Sequence, residues 1–260
     1  MDRRRFITTG VAAGALGPSA LAAQGDERHY YELRVYEVRS DIGPNRLRNF
    51  LRDHTLPALQ RAGAGPVGAF TPEAGFLGQS IHLLIDYRSA ADVFAVPQRL
   101  SVDPGYATAL RAFEAESPMP YVRYESRLLR AFAGHPRVEV TPGDASRPGR
   151  LFEIRTYESR SAEALGKKVG MFDVEEIALF RSIGMTPVFF GEDLYGPRLP
   201  SLTYMISFPD MAARTQAWNT FRTHPDWQRM SRDARWQIEG GNTSVTSAAF
   251  LNPLPFSQIR

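Results

Sequence analysis

Tyr31-Glu32-Leu33-Arg34-Val35-Tyr36-Glu37 and Phe152-Glu153-Ile154-Arg155-Thr156-Tyr157-Glu158 are one stretch written twice, 121 residues apart and identical at four of seven positions. Outward from it, the same offset pairs Gly63 with Gly184, Val67 with Val188, Ile85 with Ile206, Tyr87 with Phe208, Pro104 with Pro225, Tyr106 with Trp227, Arg111 with Arg232 and Ser126 with Ser247. One register held along almost the whole of each half argues for a tandem duplication with very few insertions, since chance would scatter the offsets.

Both copies read alike. Residues 29–39 alternate and are rich in Tyr and Val, which predicts a strand. Ser40 or Asp41 is expected to cap a helix running from near Pro44 to about Ala62, where Gly63-Ala64-Gly65-Pro66 stops it. A short strand over 67–71 and a clear one over 81–88 follow; Ser89 then caps a second helical region that Pro97 and Asp103-Pro104 divide. The last strand covers 121–132. The order β-α-β-β-α-β is the split βαβ arrangement of ferredoxin-like domains, a sheet with helices on one face. Two such units packed by their open sheet faces make a pseudo-dimeric α+β barrel. The expected divisions are a first domain at 29–132, a linker at 133–149 punctuated by His135-Pro136, Thr141-Pro142-Gly143 and Arg147-Pro148-Gly149, a second domain at 150–252 and a tail at 253–260. The tail is expected either to cover a barrel edge or to pack on a second subunit of a homo-oligomer.

Several motifs together resemble the NIPSNAP family, over about residues 29–252. They are Glu32-Leu33-Arg34-Val35-Tyr36 with its echo Glu153-Ile154-Arg155-Thr156-Tyr157, the apolar third strand His82-Leu83-Leu84-Ile85-Asp86-Tyr87, the steps Asp103-Pro104-Gly105-Tyr106 and His224-Pro225-Asp226-Trp227, and Glu125-Ser126-Arg127-Leu128-Leu129. The resemblance implies an offshoot of the dimeric α+β barrel group, whose other branches include cofactor-free monooxygenases and haem-handling enzymes. It implies no settled reaction. Leu84 and Met205 stand where the family often carries an aromatic.

Strand alternation separates Tyr31, Leu33 and Val35 from Glu32, Arg34 and Tyr36. With the apolar set expected beneath the helices, Glu32, Arg34, Tyr36 and their echoes Glu153, Arg155 and Tyr157 are expected in the barrel interior, joined by His82, Leu84 and Asp86 and by Thr203, Met205 and Ser207. Two readings stand for the charged set. In one, Glu32 faces Arg155 and Arg34 faces Glu153, fixing the register of the copies as buried ion pairs. In the other, the same residues with Asp86 bind a small, partly apolar ligand, an arginine holding an acidic or enolate-like oxygen and a tyrosine donating a hydrogen bond, while His82 moves a proton. For the chain as a whole the expected activity is binding of such a ligand; the alternatives are a cofactor-free monooxygenase or isomerase acting on an enolisable substrate, with His82 as base, and a protein-interaction scaffold. Since His82 and Asp86 become Thr203 and Ser207 in the second copy, any chemistry is expected beside the first copy's third strand.

The chain excludes much. It has 260 residues and no cysteine, so thiolate zinc sites, cysteine-held iron–sulfur clusters and cysteine nucleophiles are out. No P-loop, Gly-rich phosphate loop or G-x-S-x-G elbow occurs, and no His pair has ligand spacing, so no metal is expected. No cofactor is expected either; a single-His haem site at His82 or His224 is the alternative. His29 and His135 read as solvated, the aromatics Phe172, Phe180, Phe189, Phe190, Trp218 and Phe221 as core, and Arg181, Arg214 and Arg222 as a solvated helix face. The formal charge of +3 makes no nucleic-acid surface, because 31 cations stand against 28 anions. Part of that excess lies in residues 1–22, where Arg3-Arg4-Arg5-Phe6-Ile7, a Gly-containing apolar run and Ala20-Leu21-Ala22 lay out a twin-arginine export signal. Cleavage is expected before Ala23, after the export machinery has carried the chain across the bacterial inner membrane.

Overall fold

The structure, a computed structural model, describes residues 28–74, 78–140 and 149–260. The export signal expected over 1–22 lies outside the described residues, as does the 141–148 part of the linker. The first half comprises β1 (Tyr30–Val38), α1 (Asn45–Phe50), α2 (Leu56–Arg61), β2 (Val67–Ala74), β3 (Ser80–Tyr87), α3 (Ala90–Ser101), α4 (Pro104–Ala115) and β4 (Tyr121–Ala131). The second half follows the same order with β5 (Leu151–Glu158), α5 (Ala162–Met171), α6 (Ile177–Ser182), β6 (Thr186–Tyr195), β7 (Ser201–Phe208), α7 (Met211–Thr223), α8 (Pro225–Met230) and β8 (Val245–Pro253). One turn of π-helix joins α1 to α2 at Leu51–Thr55, and another joins α5 to α6 at Phe172–Glu176, 121 residues later.

Local chemistry accounts for most element starts. Ser89, Asp103, Ser161 and Asp210 each accept a hydrogen bond from the backbone N–H three residues on, which satisfies one of the donors orphaned at a helix N-terminus. The cap expected at Ser40 or Asp41 is not there. The first helix starts at Asn45 without a side-chain cap, and Asp41 pairs with Arg39 in the preceding turn.

All eight strands close into an antiparallel barrel in the order β1-β3-β2-β8-β5-β7-β6-β4. Within each half the strands run 4-1-3-2, and the halves join where β2 meets β8 and β4 meets β6. Both faces of the sheet are buried. Tyr36, Ile81, Leu83, Ile85 and Tyr87 pack outward against Leu47, Phe50 and Leu59 of the helices. Phe190, Leu202, Tyr204, Ile206 and Phe208 do the same beneath α5, α6 and α7. A third cluster, Tyr31, Leu33, Phe70, Leu84, Leu129, Phe152, Phe189, Met205 and Leu251, fills the barrel itself. His135, expected in solvent, belongs to the packed structure. It is 1% exposed, lies edge-on to Phe190 and is bonded to the Val188 carbonyl.

The tail covers an edge. Leu254 and Gln258 donate backbone hydrogen bonds to the Ala69 and Val67 carbonyls, Ser257 accepts from the Ala69 N–H, and Ile259 is buried in the barrel cluster. That end of the barrel is closed. At the other end β4 pairs with β6 only from Leu128 onward and β8 with β2 only from Phe250 onward, so both seams splay and open a mouth.

Candidate functional site: the barrel interior

Residues directly opposite in adjacent strands share a face. Tyr31, Leu33 and Val35 stand opposite Asp86, Leu84 and His82, whereas Glu32, Arg34 and Tyr36 stand opposite Ile85, Leu83 and Ile81 of the helix-side core. The expected orientation is therefore inverted: the apolar row of β1 faces the interior, and the Glu-Arg-Tyr row faces the helices. The second half agrees, with Phe152, Ile154 and Thr156 inside and Glu153, Arg155 and Tyr157 outside. His82 and Asp86 do lie inside, as do Thr203, Met205 and Ser207.

The six charged and tyrosine side chains consequently pair within their own halves, and no Glu32–Arg155 or Arg34–Glu153 contact forms. Arg34 Nε donates to Glu32 Oε1 at 2.7 Å, Tyr87 donates to Glu32 Oε2 at 2.7 Å, and Ser126 adds a further bond. Burial pushes the Glu32 carboxyl up, but these partners, Arg34 foremost, hold it below the usual carboxylate value. Glu153, with no exposed surface, accepts from Arg155 (2.6 Å), twice from Arg214 (2.8 and 2.9 Å) and from Trp218 Nε1 (2.9 Å). It too is held low against burial, by Arg214 first. Arg214, expected on a solvated face, is thus a partner of the buried carboxylate. Tyr157 and Tyr204 share a hydrogen bond at 2.8 Å.

Inside, the polar side chains concentrate at the splayed end. Arg127 Nη2 donates to Asp193 Oδ1 and Thr203 Oγ1, both at 2.6 Å; Asp193 also accepts from Ser201 (2.9 Å) and Thr203 (3.0 Å), and Thr156 lies 2.9 Å from Thr203. Across the interior, His82 is 7% exposed, and its Nε2 lies 2.8 Å from Ser80 Oγ. Burial pushes the imidazole down to about 4, so it is neutral at neutral pH. Between them opens a cavity of about 390 Å³. Leu33, Phe70, Leu84, Ile154, Met205, Ala249 and Leu251 make its apolar wall, and His82, Thr156, Ser247, Glu125, Arg127 and Arg198 its polar side and mouth.

At the closed end Asp86 contacts His29 Nδ1 at 2.8 Å, which corrects the reading of His29 as solvated. Burial raises the Asp86 carboxyl despite that partner. The adjacent Tyr31 hydroxyl is buried with no hydrogen-bond partner among the described residues. The structure brings His82 to the cavity; Arg34 borders it along β1, but its side chain, like those of Tyr36, Glu32 and the three echoes, lies on the far side of the sheet. Arg127, Thr156 and Ser247, which do reach the cavity, were not singled out in the sequence as site residues. Their signal was present in the odd-numbered alternation of β4 and β8 and the even-numbered alternation of the β5 interior row.

His224 caps α8 by accepting from the Asp226 N–H, away from the cavity. Among the described residues, no group of three His, Asp or Glu side chains is placed to hold a metal ion.

The NIPSNAP family model matches the chain twice, at residues 31–133 and 152–258. No curated protein matches it. Two solved structures described as candidate monooxygenases are similar in fold. The one from Lactobacillus acidophilus NCFM has a TM-score of 0.56 at 9% identity, covering 87% of this chain and 94% of that one. The one from Fusobacterium nucleatum subsp. nucleatum ATCC 25586 has a TM-score of 0.54 at 10% identity, covering 87% and 93%. A NIPSNAP family protein of unknown function from Agrobacterium tumefaciens str. C58 aligns to 43% of this chain and 95% of its own at 17% identity, with a TM-score of 0.38. At such identities the first two likenesses speak for the fold alone.

Proposed function

This chain belongs to the NIPSNAP family, and from that premise we propose that it binds a small, partly apolar molecule inside its barrel. The observation that carries this is the cavity of about 390 Å³, apolar on one wall, polar on the other and open at the splayed seams. A pocket with a few convergent polar groups is what small-molecule sites look like. His82, Thr156 and Ser247 supply hydrogen bonds, and Leu33, Leu84, Ile154, Met205 and Leu251 supply contact area. The scaffold alternative has no use for such a space.

A second reading is a cofactor-free monooxygenase or isomerase acting on an enolisable substrate, with His82 as base. The neighbours described as candidate monooxygenases are consistent with it, and His82 lines the cavity. Its weakness is physical: an imidazole held at about 4 is a poor base near neutral pH, where the best general bases titrate. Binding is the better supported reading, and it assigns no cofactor.

We read the two halves as a tandem duplication of a ferredoxin-like unit. The double family match supports this, as do the repeated element order and the two π-helical turns at one offset. Export by the twin-arginine route remains our proposal for residues 1–22, and the mass of the secreted chain tests it by showing whether it starts at Ala23.

The deciding experiment is native mass spectrometry of the purified chain, beside its absorption spectrum and its oxygen uptake with 1,4-naphthohydroquinone. A co-purifying small molecule, lost from a variant with the cavity filled by Leu84→Trp, supports binding. Hydroquinone-dependent oxygen uptake abolished by His82→Ala moves the assignment to the enzyme. An empty barrel in every preparation, with no uptake of added aromatic probes, removes both.

A further inference from the structure

We propose that the barrel takes a single ligand per chain, seated toward the first-half side of its interior, and that this ligand is an uncharged, partly apolar compound bearing a hydroxyl or carbonyl group. The proposal rests on the binding reading above and adds to it a stoichiometry, a side and a chemical class.

The side follows from strand register. The last strand of the second half is displaced by one residue against the common offset: Leu33 stands opposite Arg127 on β4, whereas its counterpart Ile154 stands opposite Ala249 on β8, 122 residues on from Arg127. The counterpart of Arg127 is therefore Ala249, and that of Glu125 is Ser247; the sequence match of Ser126 with Ser247 joins residues on opposite faces. The other interior counterparts keep the common offset. Thr156 corresponds to Val35, Thr203 to His82, Gly191 to Phe70 and Asp193 to Pro72.

The barrel thus has two pseudo-equivalent recesses with different contents. On the second-half side the Arg127 guanidinium fills the recess, held by Asp193 and Thr203. On the first-half side an alanine methyl stands where that guanidinium would be, and Pro72 offers no carboxylate to hold one. Phe70 takes back part of the room by packing on Phe152 with ring centroids 5.0 Å apart. The space that remains is the cavity, which runs along Val35, His82, Leu84 and Ala249 and is bounded toward the second half by Arg127, Thr156 and Met205.

The class follows from the charges. Arg127 is already matched in charge by Asp193, and its Nε, which has no partner among the described residues, is left to a neutral acceptor such as a carbonyl oxygen. Arg34 and Arg155, the cations that an acidic ligand would seek, lie on the outer face beside Glu32 and Glu153. Arg198 and Glu125 are at the mouth, Arg198 engaged with Glu158 and Ser247 and Glu125 with Arg123. Among the described residues no unmatched charge is left on the inner wall, and burying an ion there without a partner is costly. Hydroxyl or carbonyl groups, in contrast, find Thr156, Ser247 and His82 within the same cavity.

The test uses the whole chain with 1-naphthol and 1-naphthoate as probes of equal ring size, read by fluorescence titration and by native mass spectrometry, with xenon-pressurised crystals to locate the void. One equivalent of 1-naphthol is expected, bound more tightly than 1-naphthoate by at least about ten-fold. Ala249→Leu, which fills the first-half recess with an apolar side chain, is expected to weaken 1-naphthol by about ten-fold or more. Arg127→Met with Asp193→Asn, which empties the second recess without leaving a lone charge, is expected to admit a second equivalent; if that variant does not fold, Ala249→Leu and the naphthoate comparison decide. Two equivalents in the wild type, equal affinity for the anion, or no effect of Ala249→Leu would each overturn the proposal while leaving binding in place. No probe and no xenon in the wild-type barrel would overturn the binding reading as well.

Discussion

The two halves share a frame and differ in where they bury charge. Beneath its helices the first half holds a compact ion pair, Glu32 with Arg34, and surrounds it with Tyr87 and Ser126. The second half places two arginines and a tryptophan on Glu153 and adds a second buried pair, Lys168 with Glu176 at 2.6 Å, where the first half has Leu47 and Thr55. Lys168 Nζ also lies 4.4 Å over Phe172 and 5.6 Å over Trp227. Inside the barrel the contrast repeats: the second half is braced by Arg127, Asp193, Thr203 and Thr156, and the first half is left with neutral His82 and a void. A hydrogen-bonded polar network of this kind can hold a region rigid, even though the Arg127 Nε is left without a partner among the described residues. The half without one has the room to accept a guest.

The comparison can be broken most forcefully at Lys168. Lys168→Met leaves Glu176 buried without its partner, and a loss of about 3–5 kcal/mol is expected in urea denaturation. Lys168→Leu with Glu176→Thr, which installs the first half's residues, is expected to recover most of it; equal losses for both variants would show that the pair itself is not the source.

Next in size is the pH response of His82. Its folded value of about 4 lies below the ordinary value of 6.5, so the unfolded chain binds the extra proton first. The stability due to this group is intact above about pH 6.5 and falls as pH drops toward 4, by about 3 kcal/mol in all. His82→Leu should flatten that part of the stability profile, whereas Thr203→Val at the equivalent second-half position should leave it in place. A profile unchanged by His82→Leu would assign the acid response to other groups.

A smaller effect is expected at Trp218. Trp218→Phe removes one of the donors on Glu153 while both arginines remain, so a loss of about 2 kcal/mol is anticipated from the charge-assisted bond and the packing change. A loss well below that would mean the two arginines suffice.

Smallest, and opposite in sign, is Tyr31→Phe. It writes the second half's Phe152 into the first half and deletes a buried hydroxyl that has no hydrogen-bond partner among the described residues. A gain of up to about 1 kcal/mol in thermal or chemical denaturation is expected. A clear loss would show that the hydroxyl has a role in the folded chain.

Much of the fold was legible in the residues, and one part misled. The repeat at 121 residues, the Gly63 and Gly184 stops, and the caps at Ser89 and Asp103 all declared themselves locally, because each depends on a few neighbouring backbone groups. The face of β1 did not. Assigning its apolar row to the helices presumes that the other face is wetter, yet in a closed barrel both faces are dry and polarity no longer tells them apart. The facing was settled by the pairing of Val35 with His82 and by carboxylate partners as distant as Arg214 and Trp218, contacts that local alternation does not contain. The one-residue displacement of β8 was hidden for the same reason, and with it the correspondence of Arg127 to Ala249.

The sequence by itself therefore determined the family, the order of elements and the candidacy of His82, since these follow from periodicity, turn chemistry and residue type. Only the tertiary structure decided which β1 residues line the barrel, which half is plugged and where the void lies. A shift of one residue in a strand exchanges its two faces, and which register is adopted depends on what the closed sheet encloses.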